Sequence, residues 1–347
     1  MSGLGDVLAI ARKARGFTQS ELADLVGTTQ PTINRYEAGD RDPDPETVAA
    51  LAKALGVTEQ LLTHGNRFRG ALAVDAHMRR QKTTKASLWR QMEARLNLLR
   101  VHASFLFEEI SIRSEQHVPT FDPDDVPAQH AARLIRAQWR MPLGPVVNLT
   151  RWLEGAGVLV FEEDFGTHRI DGLSQWVGDH PVMLINANAP PDRKRLTKAH
   201  ELGHLVLHSN VATDEMESEA NRFAAELLMP LDEIRAELRK VDLGSLVALK
   251  REWGVSMQAL VERAHAIKTV TPEQRTRFYK MMNARGWKTN EPASEFIPAE
   301  RPEFPTRIGD ALIAKGFSEE RIAQIAGSAT TDGNPFRPTP INRLRAL

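Results

Sequence analysis

Short apolar blocks at helical spacing fill the first sixty or so residues. "DVLAIARKARG" has helical periodicity and stops at Gly16. Thr18 then stands where an N-cap belongs, with Glu21 three residues on, which predicts a capping box. "QSELADLVG" ends at Gly27. Thr29 predicts the cap of a third helix, "QPTINRYEA", with Pro31 in its first turn, where a missing N–H costs least. "RDPDPETVAALAKALGVTEQLL" supplies two more helices. Further on, Leu88, Met92, Leu96 and Leu99 make one apolar stripe. It reads as a helix packed on a neighbouring domain, with a dimer-forming helix as the other reading. "VPTFDPDDVP" is a turn-rich break.

From residue 141 the pattern changes. Val146, Val147, Leu149, Trp152 and Leu153 suit a helix ending at Gly155 and Gly157. "VLVFEE" and "VMLINAN" read as strands, with "GLSQWV" between them. Pro190 and Pro191 end the last strand, and helices follow over about 192–209 and 215–229, the second stopping at Pro230. The remainder holds short helices around Pro-rich turns. There "GFSEERIAQIAG" loosely echoes "GFTQSELADLVG", without a recognition helix after it; it reads as chance or as a small helical hairpin.

Length and charge refine this picture. A chain of 347 residues suits two or three domains. The net charge is zero, so the total makes no case for a nucleic-acid or membrane partner. Local charge says more. Residues 1–66 carry six basic and nine acidic side chains, and residues 67–100 carry nine basic and two acidic, so a boundary falls near Asn66. The expected layout is 1–66 helical domain, 67–140 basic helical connector, 141–267 α+β domain and 268–347 helical C-terminal region. There is no cysteine, which excludes disulfides and thiol catalysis and leaves His, Asp and Glu to hold any metal. No signal-peptide layout and no membrane-length apolar run is present, so the expectation is a cytoplasmic protein with no membrane partner.

The chemistry concentrates in "KAHELGHLVLH" (198–208). On a helix His200 and His204 lie one turn apart on the same face and can both point at one ion. Glu201 sits about 100° round, beside the ion, where a general base can take a proton from water. This HExxH spacing is the minimum grammar of a zinc peptidase. The bland alternative is an amphipathic helix that happens to carry two histidines, and a third ligand decides between them. The metzincin continuation is excluded, because Leu207 and Asn210 stand where it needs Gly and His. A Glu on the next helix is the other source. Glu217 and Glu219 are both available in "EMESEANRFAAELLMP". Burial favours Glu217, which lies nearer the Ala220/Ala224/Leu228 side, whereas Glu219 lies toward the exposed side with Glu226. Asn221 would hydrogen-bond a ligand and fix its orientation. His208 reads as lining or structural. Gly203 suggests a close approach by backbone or substrate. His168, His180 and His265 are the open candidates for stabilising an oxyanion.

"RLTKAHELGHLVLH" with "ESEANRFAAELLMP", led in by "GVLVFEE" and "VMLINANAPPDRKR", resembles the ImmA/IrrE metallopeptidases over about residues 141–235. The resemblance implies a zincin-like α+β fold, zinc held by His200, His204 and the Glu of the second helix, and Glu201 as catalytic base. Leu196-Thr197-Lys198 departs from the Phe-Thr-Leu frequent in that family, which alters packing under the helix and no ligand.

The first sixty residues resemble the Xre-type helix-turn-helix of lambda-like repressors. In that geometry Gln30, Thr32, Asn34 and Arg35 face DNA, Gln19 touches phosphate, and Ile33 and Tyr36 are core. An acidic module is poor at counterion release, so a protein-interaction role is the alternative there, with the basic connector as compensation. The whole reads as a multidomain, stress-responsive regulator. It is expected to bind operator DNA, as a homodimer, and to cleave a repressor or partner protein, or itself, with Zn2+. The alternatives are a non-enzymatic metal or ligand sensor and an antitoxin-like repressor.

Overall fold

The computed structural model describes residues 3–63, 86–111, 114–209 and 214–340. Residues 67–85 of the basic connector, and the expected boundary near Asn66, lie outside them. The first five helices are α1 (Gly3–Ala14), α2 (Gln19–Val26), α3 (Gln30–Ala38), α4 (Pro45–Leu55) and α5 (Glu59–Thr63). The capping box forms: Glu21 N–H donates to Thr18 Oγ at 3.2 Å, and Thr18 N–H donates to Glu21 Oε2 at 2.7 Å. The cap expected of Thr29 does not form, because its hydroxyl pairs with that of Thr32 at 2.9 Å. Val7, Leu8, Leu22, Ile33, Tyr36, Leu51 and Leu55 close the core of this unit.

The next helix, α6 (Ala86–Glu109), carries two apolar stripes. Ala94, Leu98, Val101 and Phe105, spaced four, three and four residues apart, complete the core of the first unit. Met92, Leu96, Leu99, Ala103 and Leu106 pack on a sheet and on the C-terminal helices. The Leu88–Leu99 stripe is thus covered within the chain. The dimer-helix reading of it is corrected: Leu96 and Leu99 are at most 1% exposed.

Beyond α7 (Ala128–Gln138) comes α8 (Leu149–Gly155). The helix begins later than the apolar pattern suggested. Asn148 adopts φ 50°, which breaks the run, its side chain caps Arg151 N–H at 3.0 Å, and Val147 is left 81% exposed. A three-stranded sheet follows, of order β1 (Leu159–Glu163), β3 (His180–Asn186), β2 (Gly172–Val177). β1 pairs parallel with β3, and β2 pairs antiparallel with β3, Ser174 opposite Met183. Both faces are buried. Leu159, Phe161, Leu173, Val182 and Leu184 face α6. Val160, Met183 and Ile185 face α9 (Pro191–Leu207), in a cluster that also takes in α10 (Met216–Leu228). The two-residue period of the strands therefore turns Ser174 toward α9.

Short helices complete the chain: α11 (Leu231–Ile234), α12 (Leu243–Trp253), α13 (Met257–Ala266), α14 (Pro272–Ala284), α15 (Phe304–Ala314) and α16 (Glu319–Ile325). The echo in "GFSEERIAQIAG" is a helical hairpin that repeats α1–α2 at an offset of three hundred residues. Leu22 and Ala23 are buried, as are Ile322 and Ala323. Thr18 and Ser318 both cap their helices, and Gly27 and Gly327 both end them at φ 71° and 76°. After Gly327 no recognition helix follows among the described residues. Instead Thr58 N–H donates to Gly327 O (2.9 Å) and Ala329 N–H to Gly56 O (3.1 Å), clasping the first unit to the C-terminal region. Among the described residues no helix is long and apolar enough to cross a membrane.

Candidate metal centre and helix-turn-helix surface

Helix α9 presents His200 and His204 on one face, and α10 crosses it closely. The approach is made possible by Gly203: a Cβ there would lie 3.1 Å from Ala220 Cα and 3.2 Å from Phe223. Backbone approach, not substrate, accounts for this glycine. The crossing brings Glu217 to the histidines. His200 Nε2 and His204 Nε2 are 3.0 Å apart, His204 Nε2 is 3.4 Å from Glu217 Oε1, and His200 Nε2 is 3.7 Å from Glu217 Oε2. Ligands on a tetrahedral zinc, with bonds of about 2.0–2.1 Å, stand about 3.3 Å from one another. These three residues form a cluster able to hold a metal ion.

The proton inventory sharpens this. The carboxylate of Glu219 only accepts, so His208 Nε2, 2.9 Å away, carries the proton between them. Neutral His208 then accepts at Nδ1 from His204 Nδ1 at 3.2 Å. His200 Nδ1 donates to Asn221 Oδ1 at 3.1 Å. Both Nε2 atoms therefore present lone pairs to each other, with a carboxylate beside them. Burial also pushes the His200 and His208 imidazoles below their usual range, toward the neutral form that ligates. Three converging electron-rich groups fit a cation.

Glu201 is 4% exposed and points into the same space. Ser174 Oγ–H donates to its Oε2 at 2.7 Å, and burial pushes the Glu201 carboxyl up. The cavity around these groups, about 340 Å³, is lined also by Trp89 of α6, Arg169, Asp171, Arg193, Leu196 and Thr197. His168, His180 and His265 are not among its lining residues. His180 packs at a tilt against Phe107, and His265 Nδ1 bonds Val270 O instead. Arg169 and Arg193 line the cavity in their place. Glu219 is not the partner of His200 and His204 in this cluster; it bonds His208. Glu226, expected on the exposed side with Glu219, is 3% exposed and paired with Arg263 and Arg133. Sequence reasoning missed Ser174, because nothing in "GLSQWV" marks one strand serine until the register turns it toward α9. Lys198, where the resemblance departs, is buried under the helix and donates to Thr150 Oγ1 (2.7 Å) and Glu162 Oε1 (3.1 Å).

In the first unit Gln30, Asn34 and Arg35 are exposed on α3 and Thr32 is half-buried, while Ile33 and Tyr36 are core. Gln19 is tied down from both ends. Its Nε2 donates to Glu37 Oε2 at 2.8 Å, and its Oε1 accepts from Gln30 Nε2 at 2.7 Å. Glu37 in turn pairs with Arg12, Nη2 to Oε2 at 2.8 Å.

Two family models match the chain. Residues 153–265 match the IrrE N-terminal-like domain, Peptidase M78, and residues 8–62 match the helix-turn-helix family. Among similar proteins of Bacillus subtilis (strain 168) is the SPbeta prophage-derived uncharacterized HTH-type transcriptional regulator YonR. It is 34% identical over 61 residues, 18% of this chain and 56% of the relative. The uncharacterized HTH-type transcriptional regulator YqaE is 37% identical over 54 residues, 16% of this chain and 47% of the relative. The chain thus spans about half the length of these relatives. Residues 8–62 thus match the helix-turn-helix family and residues 153–265 the IrrE N-terminal-like domains of Peptidase M78, two matches in one multidomain chain.

Proposed function

We propose that this chain is a cytoplasmic regulator that binds operator DNA and carries a zinc-dependent endopeptidase, which cleaves a repressor or partner protein, or the chain itself, under stress. The observation that carries the peptidase half is the convergence of two imidazole lone pairs and the Glu217 carboxylate at 3.0, 3.4 and 3.7 Å from one another. His200, His204 and Glu217 hold the ion, and Asn221 orients His200. Zinc, when bound, supplies Lewis acidity toward water and the scissile carbonyl. Glu201 takes the proton of the attacking water and returns it to the leaving amine. Ser174 holds the Glu201 carboxylate in place, and Leu196 and Trp89 wall the cleft.

For the regulatory half, Gln30, Thr32, Asn34 and Arg35 read base edges from α3, and Gln19 braces Gln30 beside the phosphates. Binding to two half-sites as a homodimer suits this module, through a surface other than the covered Leu88–Leu99 stripe.

The test compares new protein N-termini in cells carrying the wild-type chain and Glu201→Gln, before and after DNA damage. Expected are a few termini that depend on Glu201, while purified Glu201→Gln still holds one zinc. Cleavage unchanged by the substitution would overturn the assignment. For the DNA half, Arg35→Ala is expected to cost about 1–3 kcal/mol of operator binding in a fluorescence titration. Equal loss on unrelated sequences would instead mark Arg35 as a backbone contact.

A further inference from the structure

His208 and Glu219 lie outside the three converging ligand groups, yet they are placed with care. His208 stands one turn beyond His204 at the C-cap of α9, its side chain 1% exposed. It approaches His204 from behind: the contact is Nδ1 to Nδ1, 3.2 Å, on the ring edge opposite the Nε2 that faces Glu217. Its own Nε2 meets Glu219 Oε2 at 2.9 Å. Glu219, 15% exposed on its side chain, is held in the first turn of α10, with Arg222 Nη2 3.8 Å from its other oxygen. On the far side of His208, Trp176 Nε1–H donates to Ser209 Oγ at 2.9 Å and fixes the end of the helix.

We propose that His208 and Glu219 form a positioning relay for the metal centre, Glu219 to His208 to His204, that locks His204 in the Nδ1–H tautomer with its Nε2 lone pair toward the ion. This rests on the zinc reading above. The logic is one of fixed donors. A carboxylate can only accept, so it places the proton of His208 on Nε2. His208 Nδ1 is then an acceptor, and His204 must donate from Nδ1. A free imidazole would divide its proton between two nitrogens; this one cannot without breaking a buried bond. Ligand imidazoles are commonly held by a single carboxylate, carbonyl or water. Here an imidazole is inserted between ligand and carboxylate, which lets Glu219, two residues from Glu217 in the chain and about 200° round α10 from it, act without competing as a ligand. His200 has a separate and shorter support in Asn221. The two ligands are thus oriented independently, one from each side of α10.

The experiment measures zinc affinity of the full chain by competition with a chelating dye, for wild type, His200→Ala, His208→Phe, Glu219→Leu and the double His208→Phe/Glu219→Leu. Thermal melts of the metal-free proteins accompany each. His208→Phe keeps a ring of similar size and removes both bonds; Glu219→Leu, nearer the surface, serves if His208→Phe does not fold. The relay predicts a fall of about 10–100-fold for each single variant. It also predicts that the double variant is no worse than His208→Phe alone, since Glu219 acts only through His208. Glu219→Gln, which keeps an acceptor, should recover part of the loss. Wild-type zinc affinity in Glu219→Leu, or losses that multiply in the double variant, would overturn the relay. The control separates the two readings: if His200→Ala binds zinc as wild type does, the metal centre itself fails; if His200→Ala loses zinc while Glu219→Leu does not, only the relay fails.

Discussion

At the scale of single residues, burial sets the chemistry. His102 of α6 is fully enclosed between the first unit and the C-terminal hairpin, its Nδ1–H donating to Ala326 O. Burial pushes its pKa from 6.5 to about 4, and Arg95 adds to the effect. The unfolded chain therefore binds a proton here below about pH 6.5 that the folded chain refuses until about pH 4. Stability from this site is complete above that window and falls as pH drops through it, by about 1.4 kcal/mol per pH unit for one proton. Urea unfolding at several pH values should show a shallower acid slope in His102→Phe than in wild type; identical slopes would mean the site does not titrate this way. Gly203 is the second case. Alanine would gain about 1 kcal/mol of helix propensity. Against that, its methyl meets Ala220 Cα at 3.1 Å, and overpacking costs about 1–3 kcal/mol. The clash should win, leaving Gly203→Ala destabilised by about 1 kcal/mol. Because α10 must shift away, zinc affinity should fall with it, whereas a denaturation curve and zinc titration both unchanged would refute the close-packing account.

At the scale of elements, α6 is the piece whose role follows least from its own composition. Its two stripes each satisfy helical periodicity, and each buries against a different partner. Arg100 ties it further to the sheet, Nε donating to Trp176 O at 2.9 Å on β2. Leu98→Ala removes a side chain 2% exposed from the first-unit core, and Leu96→Ala one that is fully buried on the sheet side. Each should cost about 2–5 kcal/mol in chemical denaturation. Costs under 1 kcal/mol at either site would mean that face of α6 is not closely packed in solution. Local signals were the legible ones. The Thr18 capping box, the glycine stops and the short apolar runs of the strands all lie within a few residues of what they determine, so they can be read along the chain. Val147 and Glu226 could not be placed that way. The first depends on the left-handed turn at Asn148, and the second on Arg263, far off in the chain.

At the scale of the whole molecule, α6 and the clasp at Gly56–Thr58 and Gly327–Ala329 join the helix-turn-helix unit to the rest. The two should open together. No tryptophan precedes Trp89, so tryptophan fluorescence reports only the later part of the chain. Amide hydrogen exchange can follow α1 and β3 side by side. Comparable opening free energies in the two are expected; exchange in α1 at a far lower free energy would show the first unit to be independent.

The sequence by itself determined the local grammar. It sets the Thr18 cap, the glycine stops, the strands around "GLSQWV" and two histidines on one helical face, since each depends on residues close together in the chain, and its composition excludes thiol chemistry. It narrowed the third candidate ligand to two glutamates and could not divide them on more than burial. Tertiary structure decided the rest. The crossing of α9 and α10 over Gly203 put Glu217 against the histidines and Glu219 against His208. The sheet register turned Ser174 toward Glu201, and the folding-back of the C-terminal hairpin covered α6. These are contacts between residues distant in the chain. Their geometry depends on which side chains fill the space between elements, and no single segment contains that information.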